Sequence, residues 1–424
     1  MSFPLRALRA SVLATVAVGA VALGCRKKSP DELVSRGVAA TATPTGTGTT
    51  PTTTATAAPP APASLKSQVL QAFADCTIAN VRAFEDKARA LDAAAQAYAA
   101  TRSDSNRDAA REAWRSAMAT WQELEVAVFG PAAPAAMPGG KGLRDEIYAY
   151  PLFNRCQVEE QLVSLRYAGA DFAQTLITSR GLAAFEYLVF YTGTDNVCSS
   201  FSPINGQGTW AKLAPTELQD RKAAYAAAVA KDVLSRATAL RQAWEPQGGN
   251  FYGELTRAGA GSKTFATDAV ALNAVSDALF YIDDEAKDLK IGKPAGIYDC
   301  PDGNCGGSVE SPYAKASGAH LQANLRGFRR LFEGCGADGA GLGFDDVLVA
   351  VGTADLASRM KAALATSTTE LGPLAPTYEA VALSNPSQIK SFHTTLKGLT
   401  DVLKTEFVTV LNLELPKASE GDND

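Results

Sequence analysis

The chain has 424 residues, with 40 Lys and Arg against 45 Asp and Glu, so its formal net charge is −5. Such an acidic chain, with no basic excess, gives no support for a nucleic-acid partner, and we expect none. The length is enough for one large or two moderate domains. Its two histidines, His320 and His393, are too few for a histidine-rich zinc site.

The N-terminus has the pattern of an export signal. Arg6 and Arg9 precede an apolar segment at 11–23 that is too short to span a bilayer. A small residue stands directly before Cys25, as in bacterial lipoprotein cleavage sites. We therefore expect residues 1–24 to be a signal peptide and Cys25 to be lipidated; ordinary signal cleavage nearby is the alternative. The lipid would anchor the protein in the cell envelope, at the periplasmic face of the outer membrane.

A linker follows the proposed lipidation site. Residues 37–63 consist mostly of Thr, Ala, Pro and Gly and contain no charged residue. A segment of this composition buries too little apolar surface to fold. We expect residues 25–63 to form a disordered tether.

From residue 64 onward the composition and periodicity favour helices, and alternating strand patterns are scarce. Residues Trp114, Met118, Trp121, Glu125 and Val128 share one helix face. The pattern predicts helices over 64–101, around 114–128, over 215–244 and 265–288, and from Pro386 onward. We expect irregular structure in regions 130–155 and 292–311.

A Gly-rich stretch at 247–261 divides the predicted helices into two sets. Long helices joined by short loops pack as bundles. We therefore expect an all-α protein with two helical-bundle halves packed together, an N-terminal half at 64–246 and a C-terminal half at 247–424.

Six cysteines remain after Cys25, an even number that suggests disulfide bonds in an exported chain. Cys300 and Cys305 flank a turn-forming sequence and are the safest pair. Pairing Cys156 with Cys198, and Cys76 with Cys335, would complete the set. The sequence leaves the other connectivities open.

Residues 181–190 carry one charged side chain, Glu186, within an otherwise uncharged stretch. On a helix, Leu182 and Val189 lie one turn to either side of Glu186, so the carboxylate faces an apolar interior. A buried carboxylate is costly unless it is paired or holds a metal. Glu186 is therefore the best candidate site residue.

This stretch resembles the Gly-x-His-x-x-Glu signature of the imelysin family, the peptidase M75-like, iron-regulated envelope proteins. Gly181 and Glu186 match the ends of the motif, but Ala183 stands in the histidine position. The segments at 111–131, 290–296 and 317–332 also resemble family segments, in the same order along the chain. The resemblance spans about residues 65–424 and implies two helical halves with a site at their junction.

Three functions are compatible with these residues. Glu186 and Glu125 could hold iron or another divalent cation through oxygen ligands, or each acid could be neutralised by an arginine or a tyrosine. A cleft lined by these acids and Ser317 could instead bind a ligand or a partner protein. An M75-type metallopeptidase is the alternative, which the loss of the motif histidine disfavours.

We thus expect a non-catalytic envelope lipoprotein that takes part in iron or other metal acquisition, with the membrane and an iron-uptake protein as partners. Ser317 and His320 lie one helical turn apart, a spacing more typical of polar surface or a helix start than of a catalytic pair.

Overall fold

Regular secondary structure is entirely helical in the part of the chain that the computed structural model describes, residues 64–301, 305–416 and 419. The predicted signal peptide, the lipidation site Cys25 and the linker lie outside these residues. The longer helices are α1 (Leu65–Ala100), α2 (Asp104–Glu125), α3 (Leu143–Ile147), α4 (Arg155–Ser164), α5 (Gly181–Phe190), α6 (Pro203–Gly206), α7 (Pro215–Trp244), α8 (Phe251–Thr256), α9 (Asp268–Ser276), a π-helix (Ile282–Gly292), α10 (Ser317–Phe332), α11 (Phe344–Ala350), α12 (Ala354–Leu374), α13 (Tyr378–Ser384), α14 (Pro386–Val402) and α15 (Val408–Leu411). None of the helices in these residues is long and apolar enough to cross a membrane.

Helices α1, α2, α5 and α7 pack against one another and form the first bundle. Helix α1 begins after Ser64, whose hydroxyl accepts a hydrogen bond from the Ser67 amide and so caps the helix. Trp114 and Trp121 of α2 are fully buried between these helices. The helix predicted around 114–128 ends at Glu125, before Val128, so the apolar stripe is longer than the helix.

The second bundle consists of the π-helix, α10, α12 and α14, and α10 also packs directly on α2 of the first bundle. The apolar stripe predicted from Pro386 onward is buried from Ile389 to Phe407 and so continues past the end of α14 into the helical segment Leu403–Phe407. Residues from 64 onward belong to one compact unit. The two bundles are therefore parts of that unit, and a boundary between residues 246 and 247 stays a prediction.

The prediction of one continuous helix over 265–288 is wrong, because this region contains three successive helical segments of different type. Helix α9 stops at Ser276, a short 3-10 turn follows, and a π-helix then runs to Gly292. The apolar register was correct, because Leu272, Val275 and Leu279 are all buried. Apolar periodicity cannot distinguish an α-helix from a wider π-helix that brings charged side chains inward.

Three disulfide bonds lie within the described residues, and they join Cys76 to Cys335, Cys156 to Cys198, and Cys300 to Cys305. These are the pairs expected from the sequence. The first connects α1 to the segment that follows α10, and so ties the two bundles together.

The bonds close loops of very different length, with sequence separations of 259 for Cys76–Cys335 and 5 for Cys300–Cys305. Chain entropy alone gives about 5 kcal/mol for the long loop and about 2 kcal/mol for the short one. Replacing Cys76 and Cys335 by serine should therefore lower the free energy of unfolding in urea much more than the same change at Cys300 and Cys305. Equal losses in the two double variants would contradict this expectation.

Candidate functional site

Helix α5 carries Glu186 and begins at Gly181, the glycine of the motif. Gly181 has a φ of +75°, and a Cβ atom here would lie 2.6 Å from the carbonyl oxygen of Ile147. Only glycine accommodates both conditions without strain. The indole of Trp114 donates a hydrogen bond of 2.9 Å to the carbonyl oxygen of Leu182 and fixes the first turn against α2. The motif glycine therefore positions the helix and has no chemical role of its own.

Glu186 is 2 % exposed and lies on α5 as predicted. Its Oε1 atom accepts hydrogen bonds from the amides of Tyr313 and Ala314, at 2.9 and 2.8 Å. Burial raises the pKa of Glu186 to about 8, although these amides and the Ser311 hydroxyl oppose the shift. At neutral pH this carboxyl group is therefore mostly protonated and uncharged.

Ser317, the predicted ligand-binding residue, holds the loop that supplies those amides. Its hydroxyl accepts a hydrogen bond from the Ser311 amide at 2.9 Å, and its own amide donates to Glu379 at 2.7 Å. Ser317 is 1 % exposed. The residue thus fixes the loop at 311–317 against the start of α10 and does not line the cavity described below.

Lys290 of the π-helix is buried at the junction of the two bundles. Its ammonium group donates to Gln122 at 2.6 Å and to Asn324 at 3.0 Å, and it lies 2.9 Å from Oε1 of Glu310. Three acceptors match the three N–H donors of an ammonium group. Helix α2, the π-helix, α10 and the loop before α10 therefore meet at one side chain.

Glu310 is the acid that balances Lys290. Its Oε1 atom also accepts from Gln122 at 2.9 Å and from the Tyr148 hydroxyl at 2.8 Å. Its Oε2 atom lies 3.3 Å from Nδ1 of His320. Burial opposes ionisation of Glu310, but Lys290 and His320 outweigh burial and lower its pKa to about 2. Glu310 is thus ionised; its Oε1 atom is hydrogen-bonded, whereas its Oε2 atom lies beside His320 and has no hydrogen-bond partner among the described residues.

Glu125, the second predicted metal ligand, is buried at the end of α2. Arg144 donates to its Oε1 atom at 2.8 Å, and Lys290 lies 4.0 Å from its Oε2 atom. Burial disfavours the charged form of Arg144, but Glu125 and Glu285 more than offset it and raise the pKa of Arg144 well above its usual value. Glu125 is therefore neutralised by an arginine, the alternative that the sequence had left open.

A cavity of about 380 Å³ lies next to Glu186. Its lining includes Tyr150, Arg155, Ala183, Glu186, Lys293, Glu310 and Tyr313. Ala183 places a methyl group on this wall at the position where the family motif has an imidazole. Ala183, which departs from the motif, and Glu186, which matches it, therefore line the same cavity.

Two positively charged side chains, Arg155 and Lys293, line this cavity and have ion-pair partners at the surface. Arg155 donates a hydrogen bond to the buried Glu159 and forms an ion pair with Asp195 at 3.0 Å. Lys293 forms an ion pair with Asp299 at 2.8 Å. The side chains of Asp195 and Asp299 are 61 % and 62 % exposed. Ion pairs with such exposed partners contribute little, so an incoming anion can replace either carboxylate at small cost.

The donor set around Glu186 does not fit a bare iron ion. Glu125 and Glu310 are occupied by Arg144 and Lys290, and Arg155 and Lys293 add positive charge beside Glu186. Among the described residues, the grouping with metal-ligand spacing is Cys156, Glu160 and Cys198. Its two cysteines form a disulfide and offer no thiolate.

Sequence reasoning missed Lys290, Glu310, Gln122 and Asn324. Ser317 and His320 are buried, at 1 % and 3 % exposure, so they are not polar surface, but both lie in the first turn of α10, so the predicted helix start is confirmed. Lys290 lies in the segment at 290–296 that resembles a family turn. A lysine close to glycine and proline in such a segment is typical of a solvent-exposed turn, so its burial was not predicted. Glu310 follows an irregular loop and has no periodic signal.

Comparisons with known proteins agree with this architecture. The family model described as imelysin, peptidase M75, matches residues 77–405. The chain therefore belongs to the imelysin family. No curated protein matches it significantly.

Two solved structures share the fold. An iron-regulated protein A precursor from Parabacteroides distasonis ATCC 8503 has a TM-score of 0.62 at 16 % identity, over 82 % of this chain and 94 % of that one. An imelysin-like protein from Psychrobacter arcticum 273-4 has a TM-score of 0.61 at 16 % identity, over 83 % and 97 %. At such identity the likeness concerns the fold alone.

The raised pKa of Glu186 has a consequence for stability. Folding favours its protonated form, so its contribution is complete below the unfolded pKa near 4.5 and is lost as the pH rises through about 8. Glu186→Gln keeps an oxygen acceptor for both amides and has no carboxyl group to ionise, so it does not lose this stability as the pH rises. Its free energy of unfolding relative to the wild type, measured in urea, should therefore increase by roughly 3 kcal/mol or more between about pH 5 and about pH 9.

Glu254→Gln is the matched control. Glu254 also accepts backbone amides, but there the Ser262 hydroxyl and those amides outweigh burial and lower its pKa. Its contribution is present above the unfolded pKa, so this variant should lose stability at neutral pH. A Glu186→Gln variant whose stability follows the wild type across the whole range would contradict the assignment of a neutral carboxyl group.

Lys290→Met would leave Glu310 ionised and unpaired in the core. Breaking a buried pair in this way costs about 3–5 kcal/mol. The variant Lys290→Met/Glu310→Gln should recover part of this free energy, because it removes both charges. Arg359→Met is the control: Arg359 is 44 % exposed, and its partners Asp355 and Glu406 are 87 % and 48 % exposed, so its loss should have little effect on stability. Equal effects at Lys290 and Arg359 in thermal unfolding would refute the central role of Lys290.

Proposed function

We propose that this protein is an exported, lipid-anchored binding protein of the imelysin family that holds a small anionic ligand in the cavity beside Glu186. The observation that carries the proposal is the lining of that cavity, which combines a neutral carboxyl group with Arg155 and Lys293. A protonated carboxyl group donates a hydrogen bond, and the two cations attract negative charge. The predicted signal and Cys25 support export and anchoring.

The proposal keeps the predicted link to iron but changes the form in which iron arrives. One structural neighbour is described as iron-regulated. Because the cavity presents positive charge, iron would reach it as cargo within an anionic chelate, bound through the carboxylates of the chelator. Glu186 then contacts the ligand, while Glu125 and Ser317 support the surrounding structure. The membrane and an iron-uptake protein remain the proposed partners.

A metallopeptidase finds less support. That chemistry needs a metal with an open coordination position and a general base. The described residues bring no three free metal-ligating side chains together around Glu186. The binding role therefore accounts better for the residues that are present.

Calorimetric titration of the mature protein with citrate, with ferric citrate and with iron salts alone tests the proposal. Citrate and ferric citrate should bind at pH 7, and the affinity should fall as the pH rises through about 8, because Glu186 then becomes an anion. Glu186→Gln should still bind at pH 7 and should lose the pH dependence. Lys293→Met should weaken binding by about tenfold or more, which corresponds to one charge-assisted hydrogen bond.

Lys263→Met, an exposed lysine outside the cavity lining, is the control and should leave the affinity unchanged. Binding of iron salts alone that disappears in Glu186→Gln would overturn the anionic ligand in favour of a metal site. The absence of heat with citrate and ferric citrate would also overturn it.

A further inference from the structure

A second pocket lies at one end of the first bundle, where α1 ends and α2 and α7 begin. Its volume is about 290 Å³, and its walls come from the end of α1, the start of α2, the loop after α5 and the start of α7. It shares no lining residue with the cavity beside Glu186. A ligand here is therefore independent of the proposed function.

Two arginines line this pocket, and their acidic partners are much more exposed than they are. Arg102 pairs with Asp220, and Arg107 pairs with Asp104 at 2.9 Å. The arginine side chains are 34 % and 30 % exposed, whereas their carboxylate partners are 63 % and 88 % exposed. Water screens the exposed carboxylates more than the guanidinium groups, so positive charge prevails in the pocket. An anion can replace either carboxylate at small cost.

Tyr98 of α1 brings an unpaired hydroxyl group to the same pocket. The residue is 5 % exposed, and its hydroxyl has no hydrogen-bond partner among the described residues, although the oxygen is not closed to solvent. Burial raises the pKa of Tyr98 above its usual value, against the effect of Arg107, Arg102 and Arg111, so the group stays protonated at neutral pH. It can therefore donate a hydrogen bond to a ligand in the pocket.

Further donors come from other segments. Ser103, Thr192 and Thr194 line the pocket, and their hydroxyl groups donate no hydrogen bond within the described part of the chain. The Ser103 hydroxyl accepts from the Asn106 amide at 3.1 Å, which leaves its hydrogen free. Helices α2 and α7 both begin at the pocket, so the positive ends of two helices of 22 and 30 residues also favour an anion.

Asp104 sets a further condition on that anion, because its carboxylate also lines the pocket. A carboxylate beside an anion is unfavourable unless a hydrogen atom lies between them. The hydrogenphosphate ion has one O–H group that can donate to Asp104, while its other three oxygens accept from arginine and hydroxyl donors. The sulfate ion has the same shape and no hydrogen to donate.

We propose that this pocket binds inorganic phosphate as the hydrogenphosphate ion. Arg102 and Arg107 supply the charge, Tyr98 and the hydroxyls of the other segments complete the donors, and Asp104 accepts the hydrogen of the ligand. The volume lies at the lower end of the range for drug-sized ligands, roughly 300–1,000 Å³, and so suits a small ion.

Calorimetric titration of the mature protein at about pH 8 with phosphate, sulfate and methyl phosphate tests the proposal. All three are mostly dianions at this pH, and hydrogenphosphate alone has an O–H group on its central atom. Phosphate should bind at least about fivefold more tightly than either of the others, which corresponds to one hydrogen bond. Asp104→Asn should remove this preference.

Single substitutions then locate the ion. Arg102→Met should weaken phosphate binding by about tenfold or more, and Tyr98→Phe by about fivefold. Tyr98→Phe should keep the melting temperature, because its hydroxyl has no partner to lose among the described residues. Arg166→Met is the matched control and should bind phosphate like the wild type, since Arg166 and its partner Asp171 are both exposed and lie outside the pocket.

Lys293→Met separates this site from the cavity beside Glu186 and should leave the phosphate affinity unchanged. An affinity that is lost in Lys293→Met and kept in Arg102→Met would place the ion in that other cavity and overturn this pocket. The absence of heat with phosphate would also overturn it. So would equal affinity for phosphate and either of the other two anions in the wild type, or equal effects of Arg102→Met and Arg166→Met.

Discussion

The buried ammonium group of Lys290 is the constraint on which the site depends. Desolvating a charge is costly, and the cost is met here by three acceptors from three different segments. Because Gln122 and Asn324 belong to α2 and α10, the two bundles must meet at a fixed distance. Because Glu310 belongs to the loop before α10, that loop is held as well. A few residues later, the same loop donates the amides that receive Glu186.

Helices were predictable where the sequence shows both an apolar helical periodicity and residues that mark the helix ends. Helix α7 begins at Pro215 and ends at Trp244 as expected, and the burial of Glu186 on α5 follows from its apolar neighbours. The π-helix was not predictable, because apolar periodicity does not distinguish it from an α-helix and the tertiary contacts of Lys290 have no local signal in the sequence. The partners of Glu186 were hidden for a related reason. They are backbone amides of an irregular loop, and backbone donors leave no mark in a sequence.

The charge of the cavity wall disfavours a cation beside Glu186. A histidine at position 183 would border the cavity beside Glu186, and both side chains could then turn to one ion. With Ala183, no neutral nitrogen ligand remains there, and the positive groups Arg155 and Lys293 dominate the wall. Burial raises the pKa of Glu186 to about 8, so near neutral pH the protonated carboxyl group can donate a hydrogen bond.

Two acids at one junction thus take opposite protonation states because of their neighbours. Glu310 faces Lys290 and His320, and its pKa falls to about 2; Glu186 faces two backbone amides, the Ser311 hydroxyl and the Glu310 carboxylate, and its pKa rises to about 8. Amide dipoles stabilise a carboxylate less than a full positive charge does, so burial prevails at Glu186 and is overcome at Glu310. Both acids line the cavity, but the charge of Glu310 is neutralised by Lys290. The charge of the Glu186 carboxyl group changes with the pH near neutrality.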